Sequence, residues 1–358
     1  MEGLIGTLYD IPFLGVLFQF IGFLVEVIPR IAPGTLGGAA PIALGALCGI
    51  LCERSGVVNI GIEGMMLTGA FVGFATGSVV AQTLGQGDGT AIFGITTPLV
   101  LAVLASVVAG MLLATVHAWL SISVRADQII SGTIINIAAI GITSYLNRLV
   151  GSTLGGGGRF DAFDPPEFLV DLPGVGWIFE MFFDQGPIAM SMILFVIFTQ
   201  IMLFRSRWGL RTRAVGEHPK AADTVGIDVI RLRYRNVIIG GALAGLAGAY
   251  LTLEATGTFQ NGMTAGRGFI ALAAVIFGRW TPVGALLGAL LFAGSEQIGV
   301  AIRIRPPEAE LGDLMAMVPS QFFGALPYII TIIILAGVVG RSVPPAAVGR
   351  PYQKESTA

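Results

Sequence analysis

The sequence predicts an all-α, polytopic helical membrane protein with about ten transmembrane segments, one of them short or broken, and both termini in the cytoplasm. Three observations lead there. Hydrophobic residues make up 54% of the 358 and charged residues only 12%, against roughly 25% charge in a soluble domain. The apolar residues come in runs of about 17–25, the length that crosses a bilayer. The 51 glycines suit helices that approach closely in a membrane, and they also mark breaks in helices.

Taken in order, the first apolar run, 11–28, starts acidic (Glu2, Asp10) and stops at Pro29 and Arg30. It reads as a retained span, because a cleaved signal peptide starts basic and ends on small residues. Further spans are expected over 36–51, 62–80, 98–120, 129–146, 187–204, 237–253, 283–301 and 322–340. The run 268–278 is too short to cross alone and reads as a half-helix buried by its neighbours. Cys48 and Cys52 lie four apart on one helix face. Two ligands make a poor metal site, so they read as small buried residues. The whole chain, 1–358, reads as a single membrane-embedded domain.

Charge orients the set. The segment 205–235 is the one long polar island, with eight basic residues against three acidic ones. A basic loop between spans lies in the cytoplasm. Its middle, Glu217 to Gly226, predicts a short helix: Pro219 suits the first turn, Ala221 and Ala222 favour helix, and Gly226 can end it. One span away, 151–186 carries six acidic residues against Arg159 and is rich in Gly and Pro, so it reads as an external loop. Its glycine run, 155–158, lacks the Lys-Ser/Thr of a phosphate-binding loop and reads as a flexible linker. The tail from Arg341 holds Arg341, Arg350 and Lys354 against Glu355, and it falls on the cytoplasmic side.

Two polar sets interrupt the apolar sequence. The first runs from Glu53 to Gly64. Glu53 and Arg54 fit a cytoplasmic turn. Asn59 and Glu63, four apart, could share a helix face, where they either bond between helices or line a path for solute. The second is Glu254, Phe259, Gln260 and Asn261, where an aromatic ring could stack on a solute and the amides could bond hydroxyls or base edges. Enzyme signatures are missing. No His-Glu-x-x-His pair or nucleophile elbow occurs, and neither lysine, Lys220 nor Lys354, follows a glycine-rich loop. No cofactor and no nucleic acid is called for, and any ATP chemistry must belong to a partner.

Three stretches in order carry a family resemblance: ERSGVVNIGIEGMMLTGA at 53–70, RAVGEHPKAADTVGI followed by GGALAGLAGAYL within 210–251, and QNGMTAGRGFIALAAVIFGRWTP at 260–282. They resemble the permease subunits of bacterial ABC importers for simple sugars and nucleosides, most closely the nucleoside branch. That resemblance implies a multi-pass subunit of the inner membrane, in contact with membrane lipid, forming half of a translocation pathway. It implies a second, different permease subunit, an ABC ATPase subunit, and an extracytoplasmic substrate-binding protein or lipoprotein. It maps the ATPase-coupling helix onto Glu217, His218, Ala221, Ala222 and Gly226. A simple sugar such as ribose or galactose is the alternative cargo. An ion-coupled secondary transporter is the alternative class, with Glu63, Glu254 and Glu296 as its only ionisable candidates.

Overall fold

A computed structural model describes residues 12–84, 96–155, 158–163, 166–307 and 342–353, with isolated positions between 311 and 333. Among the described residues the regular structure is entirely helical. The elements are α1 (Pro12–Glu53), α2 (Ile62–Leu84), α3 (Thr97–Ala118), α4 (Gln128–Val150), α5 (Glu167–Val170), α6 (Gly176–Phe183), α7 (Pro187–Arg205), α8 (Arg207–Glu217), α9 (Pro219–Thr224), α10 (Val229–Ala249), α11 (Arg267–Phe277) and α12 (Pro282–Ile304). Wider π-helical turns extend α3 through Trp119–Val124 and α10 through Tyr250–Thr256.

Seven of the described helices are long and apolar enough to cross a membrane. The count differs from the sequence reading at the N-terminus. The segments predicted over 11–28 and 36–51 run as one 42-residue helix. Prolines 29, 33 and 41 do not end it, because an apolar medium penalises a broken, unbonded backbone more than the loss of single helical bonds. The Pro33 carbonyl is taken by Gln185 Nε2 at 3.0 Å. The span expected over 322–340 lies outside the described residues apart from isolated positions, and so do Asp164, Lys354 and two glycines of the run 155–158.

The chain sorts into two units. The smaller draws on Met1–Gly38, Phe163–Gln185 and Leu290–Gly340. Its core joins Phe23, Val27 and Ile302. The larger draws on Ala39–Ala162, Gly186–Ala289 and Arg341–Ala358 and carries both polar sets and the basic island. Its centre is α10, packed against α2 and α3. Glycines set that packing. A Cβ on Gly245 would come within 2.2 Å of the Ser106 carbonyl of α3, and one on Gly248 within 2.1 Å of the Met66 carbonyl of α2. Gly241 meets Ala114 just as closely. These glycines lie one or two turns apart on α10 and let three backbones touch, which is how helices gain packing energy where no hydrophobic effect separates them from lipid.

The outer helices are the reverse. In α10, 83% of the most apolar stretch is buried, against 33% in α3, α4 and α7. Leu104, Leu112, Ile134, Ile137, Leu194 and Phe198 all face outward. An apolar belt of this extent on several helices suits lipid, not water.

Local signals explain the helix starts. Asp127 accepts from Ile129 and Ile130 N–H ahead of α4, Ser206 from Gly209 ahead of α8, and Asp228 from Arg231 ahead of α10. Pro98, Pro187, Pro219 and Pro282 each sit in a first turn, where the missing N–H costs nothing. The Asp228 cap corrects one boundary. The helix predicted to begin at 237 begins at Val229, so Arg231, Arg233 and Arg235 belong to its first turns and not to a loop.

The glycine seam yields a direct expectation. Gly245→Val forces two branches against the Ser106 carbonyl and should destabilise the protein by about 1–3 kcal/mol or more. Gly141→Val on α4, where a Cβ meets nothing within 4 Å, should change stability by less than about 1 kcal/mol, the scale of helix propensity alone. Thermal unfolding of the two variants in detergent checks this; equal losses would contradict the seam.

Candidate functional site

The connection between α1 and α2, residues 54–61, is irregular backbone held deep in the larger unit. Ser55, Val57 and Asn59 are fully buried. Buried backbone groups must find partners: the N–H groups of residues 54–57 turn back onto carbonyls at the end of α1, and other segments reach in to further groups. Arg233 Nε of α10 donates to the Ser55 carbonyl at 3.0 Å. Gln128 Oε1 accepts from Val58 N–H at 2.7 Å. His117 Nε2 lies 2.9 Å from the Val58 carbonyl, which can only accept, so this nitrogen carries the proton and Nδ1 faces the Ser131 hydroxyl at 3.1 Å. Asn136 of α4 bridges the end of the segment, donating to the Ile60 carbonyl at 3.0 Å and accepting from Gly64 N–H at 2.8 Å.

Glu53 and Arg54 do more than close a turn. Glu53 is buried and accepts from the Trp280 indole N–H. Arg54 donates to the carbonyls of Trp280 at 3.0 Å and Arg279 at 3.3 Å. Arg279 and Trp280 both have positive φ, 52° and 54°, a conformation costing on the order of 1–3 kcal/mol for a non-glycine residue. The pair from the end of α1 therefore clamps a strained turn between α11 and α12, tying the first quoted motif to the end of the third. Burial pulls the Arg54 guanidinium below its usual range, an effect that Glu217 opposes and Arg213 reinforces.

Asn59 and Glu63 do not share a helix face. Asn59 precedes α2, and its Nδ2 sits 3.6 Å from each of the Cys48, Cys52 and Met65 sulfurs. The two cysteines are buried and free. Glu63 lies in the first turn of α2 and accepts from Gly266 N–H at 2.8 Å and Gly268 N–H at 2.6 Å. It therefore caps the short helix α11, placing a carboxylate at the positive end of the helix dipole. Glu254 repeats the device. Set in the π turn after α10, it accepts from Ile188 N–H at 2.7 Å and Ala189 N–H at 3.1 Å, capping α7. Both carboxylates, expected as path or coupling groups, are engaged with helix N-termini. Glu296, on α12 in the smaller unit, is exposed.

Near Glu254, Arg159 donates to the Glu254 carbonyl at 2.8 Å, and Phe160 N–H donates to the Leu253 carbonyl at 2.7 Å. The Gly155 carbonyl accepts from Ser78. The flanks of the glycine run are thus anchored, unlike the flexible linker the composition implies. Phe259 is also placed differently from expectation. It is buried edge-on against Phe71, with centroids 5.1 Å apart, in a cluster with Leu67, Ala70 and Phe74. Gln260 and Asn261 are exposed, and Asn261 accepts from Asn147 at 3.0 Å.

On the polar island the helix expected over 217–226 resolves into two. Glu217 ends α8, His218 forms the joint with extended φ of −138°, and α9 covers Pro219–Thr224. Gly226 follows with φ +83°, the turn that frees the chain to enter α10. Ala221 is exposed, whereas Ala222 is buried with Val215, Val229, Leu232 and Tyr352. Gly216 is forced by closeness: a Cβ there would meet the Arg54 carbonyl at 2.2 Å. The sequence reading gives no role to the segment 342–353, which packs onto this island. Ala347 N–H donates to the Gly216 carbonyl at 2.9 Å, Ala346 N–H to the Glu217 carboxylate at 3.1 Å, and Arg233 Nη1 to the Arg350 carbonyl at 3.0 Å. The signal for it is Tyr352, the one aromatic residue of the segment.

Comparison with known proteins places this geometry in context. Residues 32–335 match the family described as the branched-chain amino acid transport system / permease component. The guanosine ABC transporter permease NupQ of Bacillus subtilis is 38% identical over 92% of this chain and 98% of its own length. The nucleoside ABC transporter permease NupC of Lactococcus lactis subsp. cremoris is 34% identical over 92% and 98%. The putative glucose ABC transporter permease TsgC13 of Haloferax volcanii is 35% identical over 90% and 96%. No solved structure matches this chain.

The capping role of Glu63 predicts a graded response. Glu63→Leu orphans the buried Gly268 amide, at a cost of about 1–3 kcal/mol, and the part-buried Gly266 amide, at less. Glu63→Gln keeps one acceptor oxygen and should lose less than half as much. Melting temperatures of the purified variants measure this, and a Leu variant as stable as the parent would remove the cap from the account.

Proposed function

The chain belongs to this permease family, and on that premise we propose that it forms one half of the membrane pathway of an ATP-driven importer whose cargo is nucleosides. The observation that carries the cargo is the end-to-end match to two permeases named for guanosine and for nucleosides, each over 92% of this chain. The chain is a multi-pass protein of the inner membrane. A second permease supplies the other half of the pathway, a partner ATPase supplies hydrolysis, and an extracytoplasmic binding protein delivers solute. The acidic loop 151–186 lies outside and the tail from Arg341 in the cytoplasm, as the charge distribution supports; with α1 as a single crossing the count falls below the ten read from the sequence, and the start of α1 lies outside.

Coupling runs through the island. In this reading α9 is the element that meets the ATPase, and Ala221 and His218 lie on its exposed side. Motion of α9 passes through Ala222 into the cluster with Val229 and Leu232 at the start of α10, and α10 is seamed to α2 and α3 through glycine. Gly216 against Arg54 passes the same motion to the clamp on Trp280. A push at α9 thus reaches helices on both sides of the larger unit through close-packed backbone rather than through loops. Asn59, Glu63, Glu254 and Phe259 act in this scheme as fixed points of the pathway wall, while Gln260 and Asn261, which are exposed, are the better candidates to meet solute.

The glucose-named relative at 35% identity supports the alternative of a simple sugar carried by the same machine. An ion-coupled secondary transporter finds less support. It needs a carboxylate at liberty to take up and release a proton or sodium ion, and two of its three candidates, Glu63 and Glu254, each hold two backbone amides.

Uptake of labelled guanosine, uridine and ribose, in cells with and without this gene and with the partner subunits intact, tests the cargo. Loss of nucleoside uptake alone is expected; loss of ribose uptake alone would overturn the cargo while keeping the machine. Ala221→Arg should lower ATP-driven uptake at least about tenfold with the amount of protein in the membrane unchanged, and uptake at the parental level would remove α9 from the coupling role. Ala222 is unsuited to that test, because a charge there breaks the packing against Tyr352.

A further inference from the structure

By composition the segment 342–353 is a short tail rich in proline and alanine, with Arg350 its one charged residue. In the structure it is a built wall. Tyr352 is buried in the cluster beneath α9. The backbone of Ala346 and Ala347 bonds to Glu217 and Gly216. A further hold comes from Arg233, whose side chain is 1% exposed. Among the described residues it forms no ion pair with a carboxylate. Nε takes the Ser55 carbonyl and Nη1 the Arg350 carbonyl, both at 3.0 Å, and Nη2 is buried without a hydrogen-bond partner among those residues. Burying a guanidinium against carbonyls alone is costly. It is understandable where the gain is position: one side chain joins the 54–61 segment, α10 and the C-terminal segment.

That arrangement leaves a groove of about 1020 Å³ between α9 and the C-terminal segment. Glu217, His218 and Ala221 line one side; Ala346, Arg350 and Gln353 line the other. Lys220 also lines it, so two basic side chains, Lys220 and Arg350, stand against the one carboxylate of Glu217, and the lining carries a small net positive charge. We propose that the C-terminal segment 342–353 is a second contact element for the partner ATPase, and that the groove between it and α9 takes an acidic segment of that ATPase. The reading rests on the coupling role assigned to α9 above. A two-sided groove resists both push and pull, whereas one exposed helix only abuts its partner. A motor that must both open and close the pathway needs the former. Arg233 is then a positioning residue that keeps the second wall at a fixed distance from the first.

Photo-crosslinking tests this on the assembled complex in membranes. A thiol-linked benzophenone is placed at Ala221→Cys, at Gln353→Cys and, as a control on the apolar face of α4, at Gly141→Cys. Cys48 and Cys52 stay in place, since both are buried. Both substituted groove positions are exposed, so folding is not at stake. The expected result is an ATPase adduct from 221 and from 353, and none from 141. An adduct from 221 alone overturns the second wall and leaves the coupling role of α9 standing. An adduct from 353 alone, from neither, or to the companion permease instead of the ATPase overturns the groove and the coupling role together.

Discussion

The structure depends on one constraint: an irregular stretch of backbone, residues 54–61, is buried among helices where water cannot satisfy it. Every polar group left bare there costs several kcal/mol. The answer is a set of side chains reaching in from elsewhere: Arg233 from α10, Gln128 and Asn136 from α4, His117 from α3. Each is buried, and each fixes its own helix relative to this segment as a consequence. The same solution recurs where helices start inside the larger unit, with Glu63 holding the amides ahead of α11 and Glu254 those at the start of α7. Polar residues in an apolar chain thus serve first as caps and ties, and their cost is offset by the backbone they satisfy.

In the proposed coupling scheme these ties separate the rigid parts from the moving ones. Close glycine contacts hold α10 to α2 and α3, leaving little freedom within the larger unit. Among the described residues, the module of α8, α9 and the C-terminal segment is exposed and polar. Its core of Val215, Ala222, Val229, Leu232 and Tyr352 is continuous with the start of α10. Force applied to this module has a rigid route into the helices, which is what an importer driven by an external motor requires. The strained turn at Arg279 and Trp280, clamped by Glu53 and Arg54, lies on that route and is the natural place for strain to be stored.

Much of the fold was legible in the sequence because length and apolarity alone define a span. The half-helix expected over 268–278 appears as Arg267–Phe277, and the helix expected on the polar island appears as α9. The misses share a cause. Pro29 looks like a break because in water it is one; in an apolar environment α1 continues through it, as it does through Pro33 and Pro41. Arg233 looks like one loop charge among eight. The clue against that is Asp228, which stands three residues before Arg231, accepts its N–H and so marks a helix start. Ala221 and Ala222 are identical in type, yet one is exposed and the other buried, and only the tertiary partner Tyr352, far along the chain, separates them. Phe259 has the chemistry to stack on a base but packs on Phe71 instead. No local pattern distinguishes those outcomes.

The energy source separates a motor-driven permease from a carrier that works alone. The measurement is accumulation of labelled guanosine in proteoliposomes holding this chain with its companion permease and ATPase, supplied with the binding protein. The account predicts accumulation that requires ATP on the ATPase side and persists when ionophores collapse proton and sodium gradients. Accumulation driven by an ion gradient without ATP or the ATPase would contradict it.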